Sequence, residues 1–121
     1  ELEAAGRYPS VGFAFDLNGF AGYPRPRFGE QSPCAEPQGE RLAYPFSSYA
    51  GDVTFTPPQL GAREVDFNEE GLTHVGLLPE LIADAQLMGA SRDDLAPLFR
   101  SAEAYLRVWE AALERSEALE F

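Results

Sequence analysis

The chain has no lysine, one cysteine and one histidine among its 121 residues. With Cys34 as its only cysteine, it can form no internal disulfide and cannot assemble a thiolate metal site alone. A catalytic zinc ion needs about three protein ligands, and His74 with scattered carboxylates does not supply them. We therefore interpret His74 as a local hydrogen-bonding residue, and we predict no metal ligands within this chain.

Positive charge is also scarce, because nine arginines face 20 acidic residues and the net charge is −11. Such a chain repels phosphate backbones, so we expect no nucleic-acid partner. The apolar runs are much shorter than the roughly 20 residues that cross a bilayer, so no membrane span is predicted. The 45% of hydrophobic residues is enough to build a core. One soluble domain is the expectation, and its location, cytoplasmic or secreted, stays open.

The stretch from Ser10 to Asp16 alternates bulky and small side chains. This pattern predicts a strand with one bulky face and one tight face, as in parallel α/β sheets and barrels. An aspartate at its end, Asp16, has two readings. It either caps a turn made by Asn18 and Gly19, or lies where α/β barrels carry catalytic groups. The pattern alone does not decide between them.

Residues 17–75 are predicted to form a long loop, because seven of the ten prolines lie between Pro24 and Pro58. Within it, Asp52–Thr56 and Arg63–Phe67 alternate and could pair as a small hairpin. Loops of this length are usually lids, binding loops or disordered inserts. Aromatic residues argue against a merely flexible one: Phe20, Tyr23, Phe28, Tyr44, Phe46 and Tyr49. Arg25 and Arg27 are candidates to bind a substrate carboxylate; the alternative is that they only solvate the loop.

Residues 76–121 are predicted to be helical. In GLLPELIADAQLMG the apolar side chains recur at helical spacing, Pro79 suits a first turn, and Gly89 suits the position after the helix. The sequence SRDD, from Ser91 to Asp94, has the form of a capping box that opens a short helix.

A final helix is predicted from near Ser101, with one broad apolar face. Glu103 and Arg107 are placed to form an i,i+4 ion pair on it. Trp109 lies on the apolar face and is predicted to be part of a core.

Three segments resemble the membrane dipeptidase family, which are zinc hydrolases of the amidohydrolase type. VGFAFDLNG at Val11–Gly19 is similar to the last barrel strand of that family, commonly VGxGxDFDG. EGLTHVGLLPELIAD at Glu70–Asp84 resembles its EGLxDVxxxPDLIxE segment, and YLRVWEAALE at Tyr105–Glu114 resembles the NLLRVFE run of its closing helix. The three matches occur in the family's order and together span about half of the chain.

The resemblance implies an α/β fold, specifically the C-terminal part of a (β/α)8 metal-dependent hydrolase barrel. On this view residues 10–16 are the last barrel strand, 17–75 a loop on the active-site side, and 76–121 the helices that follow. The implied reaction is cleavage of a peptide or amide bond in a small peptide-like substrate, with zinc held by residues outside this chain. Asp16 falls on the family's first aspartate and would be the proton shuttle. Asn18 replaces the second, so it keeps hydrogen bonding and becomes a substrate-binding candidate.

A partner is expected, because a complete barrel takes about 250 residues. One barrel strand with two open edges would need either the remaining barrel polypeptide or self-association to cover it. The alternative, from a different functional class, is a non-catalytic acidic α+β module that serves protein interaction.

Overall fold

The computed structural model of the chain describes residues 8–12, 23–33, 36 and 39–118. The chain divides into two compact units. The first, called here the loop-rich unit, is Phe15–Ala90. The second, called the helical unit, combines Glu1–Ala14 with Ser91–Phe121.

Two small antiparallel sheets lie in the loop-rich unit. The strands β1 (Phe46–Ser47) and β2 (Thr54–Phe55) form the first, and Phe46 lies opposite Phe55. The strands β3 (Gln59–Leu60) and β4 (Arg63–Glu64) form the second. The predicted pairing of residues 52–56 with residues 63–67 is therefore wrong, because each segment pairs with the strand just before it in the chain.

Tight turns explain this local pairing. The hydroxyl of Ser48 accepts hydrogen bonds from the backbone N–H groups of the next turn and donates to the carboxylate of Asp52 at 2.7 Å. Gly51 supplies a φ of 81° in this turn, and Gly61 supplies 64° between β3 and β4. The connection between β3 and β4 has two residues, and closing it costs less chain entropy than the six-residue connection between the two predicted strands. The connection between β1 and β2 is as long as the predicted one, and the hydrogen bonds to Ser48 stabilise it.

Three helical segments follow the sheets: α1 (Phe67–Glu70), a 3-10 turn (Val75–Leu77) and α2 (Leu78–Leu87). His74 caps the 3-10 turn, since its Nδ1 accepts a hydrogen bond from the N–H of Gly76 at 2.9 Å. The predicted α2 is confirmed, with proline in its first turn and Gly89 at φ 101° after its end.

The core of the loop-rich unit brings together apolar side chains from the predicted loop and from the segments around α1. Its buried members are Leu42, Val65, Phe67, Leu72 and Leu77. Polar side chains tie the loop to the same core: the Asn68 amide binds both the N–H of Leu42 (2.8 Å) and its carbonyl (3.0 Å). The region predicted as a loop over residues 17–75 therefore contains two small sheets, one short helix and most of this core.

The helical unit contains α3 (Arg92–Phe99) and α4 (Ser101–Ala118). The predicted capping box at Ser91 is present, and so is the predicted pair between Glu103 and Arg107, whose Oε1 and Nε lie 2.8 Å apart. The prediction that Trp109 belongs to a core is wrong for this chain, because 57% of the residue is exposed.

The structure is mixed α/β, with four helices and two small antiparallel sheets in the part of the chain that it describes. It does not show a (β/α)8 barrel or the C-terminal part of one. Most of the predicted barrel strand, residues 13–16, lies outside the described residues; the described residues 10–12 adopt no strand conformation. Among the described helices, none is both long enough and apolar enough to cross a membrane.

Candidate functional site

Two of the four candidate residues predicted from the sequence lie in the part of the chain that the structure describes. Asp16 and Asn18 lie outside the described residues. Arg25 and Arg27 lie on the segment 23–33 of the loop-rich unit, which is described. The candidate site is therefore built around this segment.

Backbone hydrogen bonds hold this segment against α1 and the residues that follow it. The N–H of Leu72 donates to the carbonyl of Pro24 at 3.1 Å, and the N–H of Phe28 donates to the carbonyl of Asn68 at 3.2 Å. Gly71 sits at this contact with φ 69°, and a Cβ there would lie 2.6 Å from the Pro24 carbonyl oxygen. The close approach of the two backbones thus requires a residue without a side chain.

A surface cavity of about 450 Å³ opens beside this contact. This volume lies in the range of small-molecule sites, roughly 300–1,000 Å³. The side chain of Arg25 is exposed there and forms no hydrogen bond or ion pair with any residue that the structure describes. Most of the wall is made by the segment that carries Arg25, and two residues near α1 complete it. The lining residues are Tyr23, Pro24, Arg25, Pro26, Glu30, Gln31, Ser32, Glu70 and Thr73. We call it the Arg25 cavity.

Arg27, two residues further on, is held inside the unit. Its Nε lies 2.9 and 3.1 Å from the two carboxylate oxygens of Asp84, and its Nη2 donates to the Glu40 carbonyl at 2.8 Å. The bond to Asp84 raises the pKa of the guanidinium, and its side chain is only 12% exposed. Of the two candidate arginines, Arg25 is the one whose guanidinium is presented to the cavity.

Carboxylates share the cavity wall with Arg25. Glu70 binds the guanidinium of Arg63 and accepts a hydrogen bond from the N–H of Asp66 at 3.1 Å. Glu30 makes no ion pair with the described part of the chain. A cavity that carries both signs of charge suits a zwitterionic ligand, whose carboxylate would meet the arginine fork and whose amine would meet a carboxylate.

Two buried acids on α2 were missed by the sequence reasoning. Glu80 is 2% exposed and Asp84 is buried, although neither belongs to the apolar stripe by which the sequence predicted this helix. The Tyr44 hydroxyl donates to Glu80 at 3.3 Å. Burial raises the pKa of the Glu80 carboxyl, and burial together with that carboxylate raises the pKa of Tyr44 well above its usual value. Their i,i+4 spacing places the two acids on one face of the helix, but nothing in the sequence marks that face as buried.

The described residues do not fit a resident metal ion. Nδ1 of His74, the only histidine, already accepts the Gly76 N–H. Over residues 8–12, 23–33, 36 and 39–118, no group of three or more His, Cys, Asp or Glu side chains is placed to hold a cation.

Comparison with known proteins adds no assignment. No family model matches the chain, and no curated protein or solved structure does so either.

Proposed function

We propose that this chain is the C-terminal portion of a metal-dependent hydrolase resembling the membrane dipeptidases, and that its Arg25 cavity binds the carboxylate end of a small peptide-like substrate. The observation that carries the proposal is the guanidinium of Arg25, unpaired within the described ranges, on a cavity of about 450 Å³. The three sequence segments that resemble the family, in the family's order, supply the reaction class.

The residue roles follow from the resemblance and from the charges of the cavity. Asp16 is the proton shuttle for the hydrolytic water, and Asn18 hydrogen-bonds the substrate. Arg25 orients the substrate carboxylate through its planar fork. Zinc is bound by residues of the remaining barrel polypeptide, to which this chain contributes its last strand and C-terminal helices.

Binding at the cavity is tested with three probes: alanyl-alanine, its C-terminal amide and its N-acetyl derivative. Calorimetric titration of the chain should show the free dipeptide binding at least tenfold more tightly than the amide, because a charge-assisted hydrogen bond contributes about 1.5–3 kcal/mol. Arg25→Gln should remove that preference. Arg115→Gln is the matched control, because this exposed arginine lies on α4. Equal affinity for the acid and the amide contradicts the proposal.

The hydrolase assignment has its own test. Native mass spectrometry of the protein purified from its source, with metal analysis of the same sample, should find this chain together with the remaining barrel and with zinc. In that complex, Asp16→Asn should abolish peptide hydrolysis and leave the assembly intact. A metal-free chain without a larger partner would contradict the hydrolase assignment.

The second candidate function is a non-catalytic interaction module. One observation favours it: α4 exposes several large apolar side chains in the described part of the molecule. The two candidates separate in the dipeptide titration, since an interaction module has no reason to prefer a free carboxylate.

A further inference from the structure

Glu70 shares the wall of the Arg25 cavity with Arg25 itself. The residue after it, Gly71, packs against the main chain of Arg25, since a Cβ on Gly71 would lie 3.0 Å from the Arg25 carbonyl carbon. Consecutive Cα atoms are about 3.8 Å apart, so the side chains of Glu70 and Arg25 start from neighbouring stretches of backbone. Both side chains are long, and an ion pair between them is within their reach.

The structure shows a different pairing. One oxygen of the Glu70 carboxylate, Oε2, binds Nη2 of Arg63, and the other, Oε1, accepts the N–H of Asp66 at 3.1 Å. Both oxygens of Glu70 are therefore engaged, whereas Arg25 has no hydrogen bond or ion pair within residues 8–12, 23–33, 36 and 39–118.

Arg63 reaches Glu70 from a separate element. It lies on β4, next to the turn at Gly61, and the N–H of Val65 continues the pairing of this hairpin with a bond to the Pro58 carbonyl at 2.9 Å. Asp66 holds only one of the two Glu70 oxygens. Without Arg63 the second oxygen would have no partner, and the guanidinium of Arg25 would be a cation available to it.

We propose that Arg63 is a positioning residue for the Arg25 cavity, which binds Glu70 and so keeps the Arg25 guanidinium available to the carboxylate of a ligand. This inference rests on the proposed binding role of Arg25. Glu70 and the ligand carry the same carboxylate group and compete for the same guanidinium. The apparent affinity for the ligand falls with the fraction of molecules in which Arg25 is already occupied.

The first test is Arg63→Gln, titrated with alanyl-alanine and with its C-terminal amide. Affinity for the free acid should fall about two- to sixfold, the loss expected when an ion pair of ordinary surface strength competes for Arg25. Affinity for the amide should not fall, because the amide offers no carboxylate to Arg25. The side chain of Arg63 is 64% exposed, so the variant is expected to fold, and urea unfolding checks this.

A second substitution should reverse the first. In the double variant Arg63→Gln with Glu70→Gln, the neutral amide at position 70 is a weak competitor for a guanidinium, so the preference for the free acid should return at least to the parent value. Arg41→Gln is the matched control. It removes the same charge from the exposed Arg41–Glu69 pair, one residue before Glu70 and outside the cavity wall, and should leave the preference unchanged.

A measurement without ligand separates contact from a general effect of charge. The NMR signal of the Arg25 Nε–H, assigned with Arg25→Gln, should shift in Arg63→Gln, and this proton should exchange more slowly with solvent. The double variant should return the signal to its parent position, and Arg41→Gln should not move it. A change in the electrostatic field alone would alter the affinity without protecting the Arg25 proton.

Several outcomes would overturn the role of Arg63. One is a parent chain that prefers the free acid and an Arg63→Gln variant with the same preference, which contradicts this role and leaves the binding role of Arg25 standing. A second is a lost preference that Glu70→Gln does not restore, and a third is an Arg25 signal that Arg63→Gln leaves unchanged. A parent chain without any preference contradicts the binding role of Arg25 itself, and this inference with it.

Discussion

Gly71 is the residue at which the candidate site is most sensitive to a single methyl group. A Cβ there would lie 2.6 Å from the Pro24 carbonyl oxygen and 2.8 Å from the Pro26 nitrogen, and the φ of 69° already disfavours a side chain. Gly71→Ala should therefore lower the free energy of unfolding by about 1–3 kcal/mol and weaken dipeptide binding, because the displaced backbone carries Arg25.

Gly61→Ala is the matched control for this change. Gly61 has nearly the same φ, 64°, but a Cβ added there would have no neighbouring atom within 4 Å. Urea unfolding should show the larger loss for Gly71→Ala, and only that variant should affect the titration. Equal losses would mean that backbone conformation, and not the contact with Pro24, is what Gly71 supplies.

The buried carboxyl of Glu80 should make the stability of the folded chain depend on pH. Burial raises the pKa of its carboxyl in the folded chain, so the folded state binds the proton more tightly than the unfolded state does. The protonated carboxyl favours folding fully at pH values below the pKa that Glu80 has in the unfolded chain. This stability is lost as pH rises through the higher pKa that Glu80 has in the folded chain. Each unit of the rise corresponds to about 1.4 kcal/mol.

Glu80→Gln removes this titration. The variant should gain stability relative to the parent chain as pH rises from about 4 towards 8, the interval above the ordinary glutamate pKa. Urea unfolding at several pH values measures the difference. A constant difference between Glu80→Gln and the parent would contradict the raised pKa.

At the scale of the element, α3 depends on its first turn. The Ser91 hydroxyl accepts the N–H of Asp94 at 3.1 Å, and the Asp94 carboxylate accepts the N–H of Ser91 at 2.9 Å. Ser91→Ala should cost about 1 kcal/mol, whereas Ser91→Thr should keep the cap. Thermal unfolding followed by circular dichroism measures both.

The pH dependence of the stability that this cap provides has the opposite sign to that of Glu80. Hydrogen bonds from Ser91 lower the pKa of Asp94, so the stabilisation is present above the unfolded aspartate pKa and is lost as pH falls through the folded pKa. The gap between Ser91→Ala and Ser91→Thr should therefore narrow in acid. A gap that stays unchanged in acid would show that the Asp94 carboxylate takes no part.

Helices were predictable here because their signals are local. Pro79 and Gly89 bracket α2, and Ser91 opens α3, so each boundary depends on residues within one turn of it. Strand pairing was not predictable, because the alternating pattern of the segments that contain β2 and β4 does not reveal which neighbouring segment each one pairs with. The exposure of Trp109 could not be inferred either, since an apolar helix face does not itself reveal whether anything in the same chain covers it.

The candidate site shows the same division between local and distant information. Arg25 and Arg27 stand in nearly identical sequence, and the sequence treats them alike. The two side chains differ in burial and pairing because Asp84, 57 residues further along, binds only Arg27. Glu80 and Asp84 likewise could not be recognised as buried until the loop that covers them was placed.

At the scale of the molecule, the Arg27–Asp84 pair fastens the segment 23–33 to α2. Both side chains are nearly nine-tenths buried, so removing one charge leaves the other without an opposite charge beside it. Asp84→Asn should destabilise the chain by about 3 kcal/mol. The double variant Arg27→Met with Asp84→Asn should lose less than the sum of the two single changes.

The Arg41–Glu69 pair is the comparison, because both of its side chains are half exposed and its N–O distance is 3.1 Å. Glu69→Gln should cost less than about 1 kcal/mol. Denaturant unfolding of the set measures the coupling. Additive effects at Arg27 and Asp84 would mean that other contacts, and not this pair, hold the segment in place.

The paired hydrogen bonds between Asn68 and Leu42 imply a pattern in hydrogen–deuterium exchange. The Asn68 side-chain amide pairs with both backbone groups of Leu42, as a neighbouring strand would, although Leu42 belongs to no helix or strand. The Leu42 amide should therefore exchange slowly, as an isolated protected site, and Asn68→Ala should release it. A loop that looks irregular by its backbone would then respond to solvent as part of the folded core.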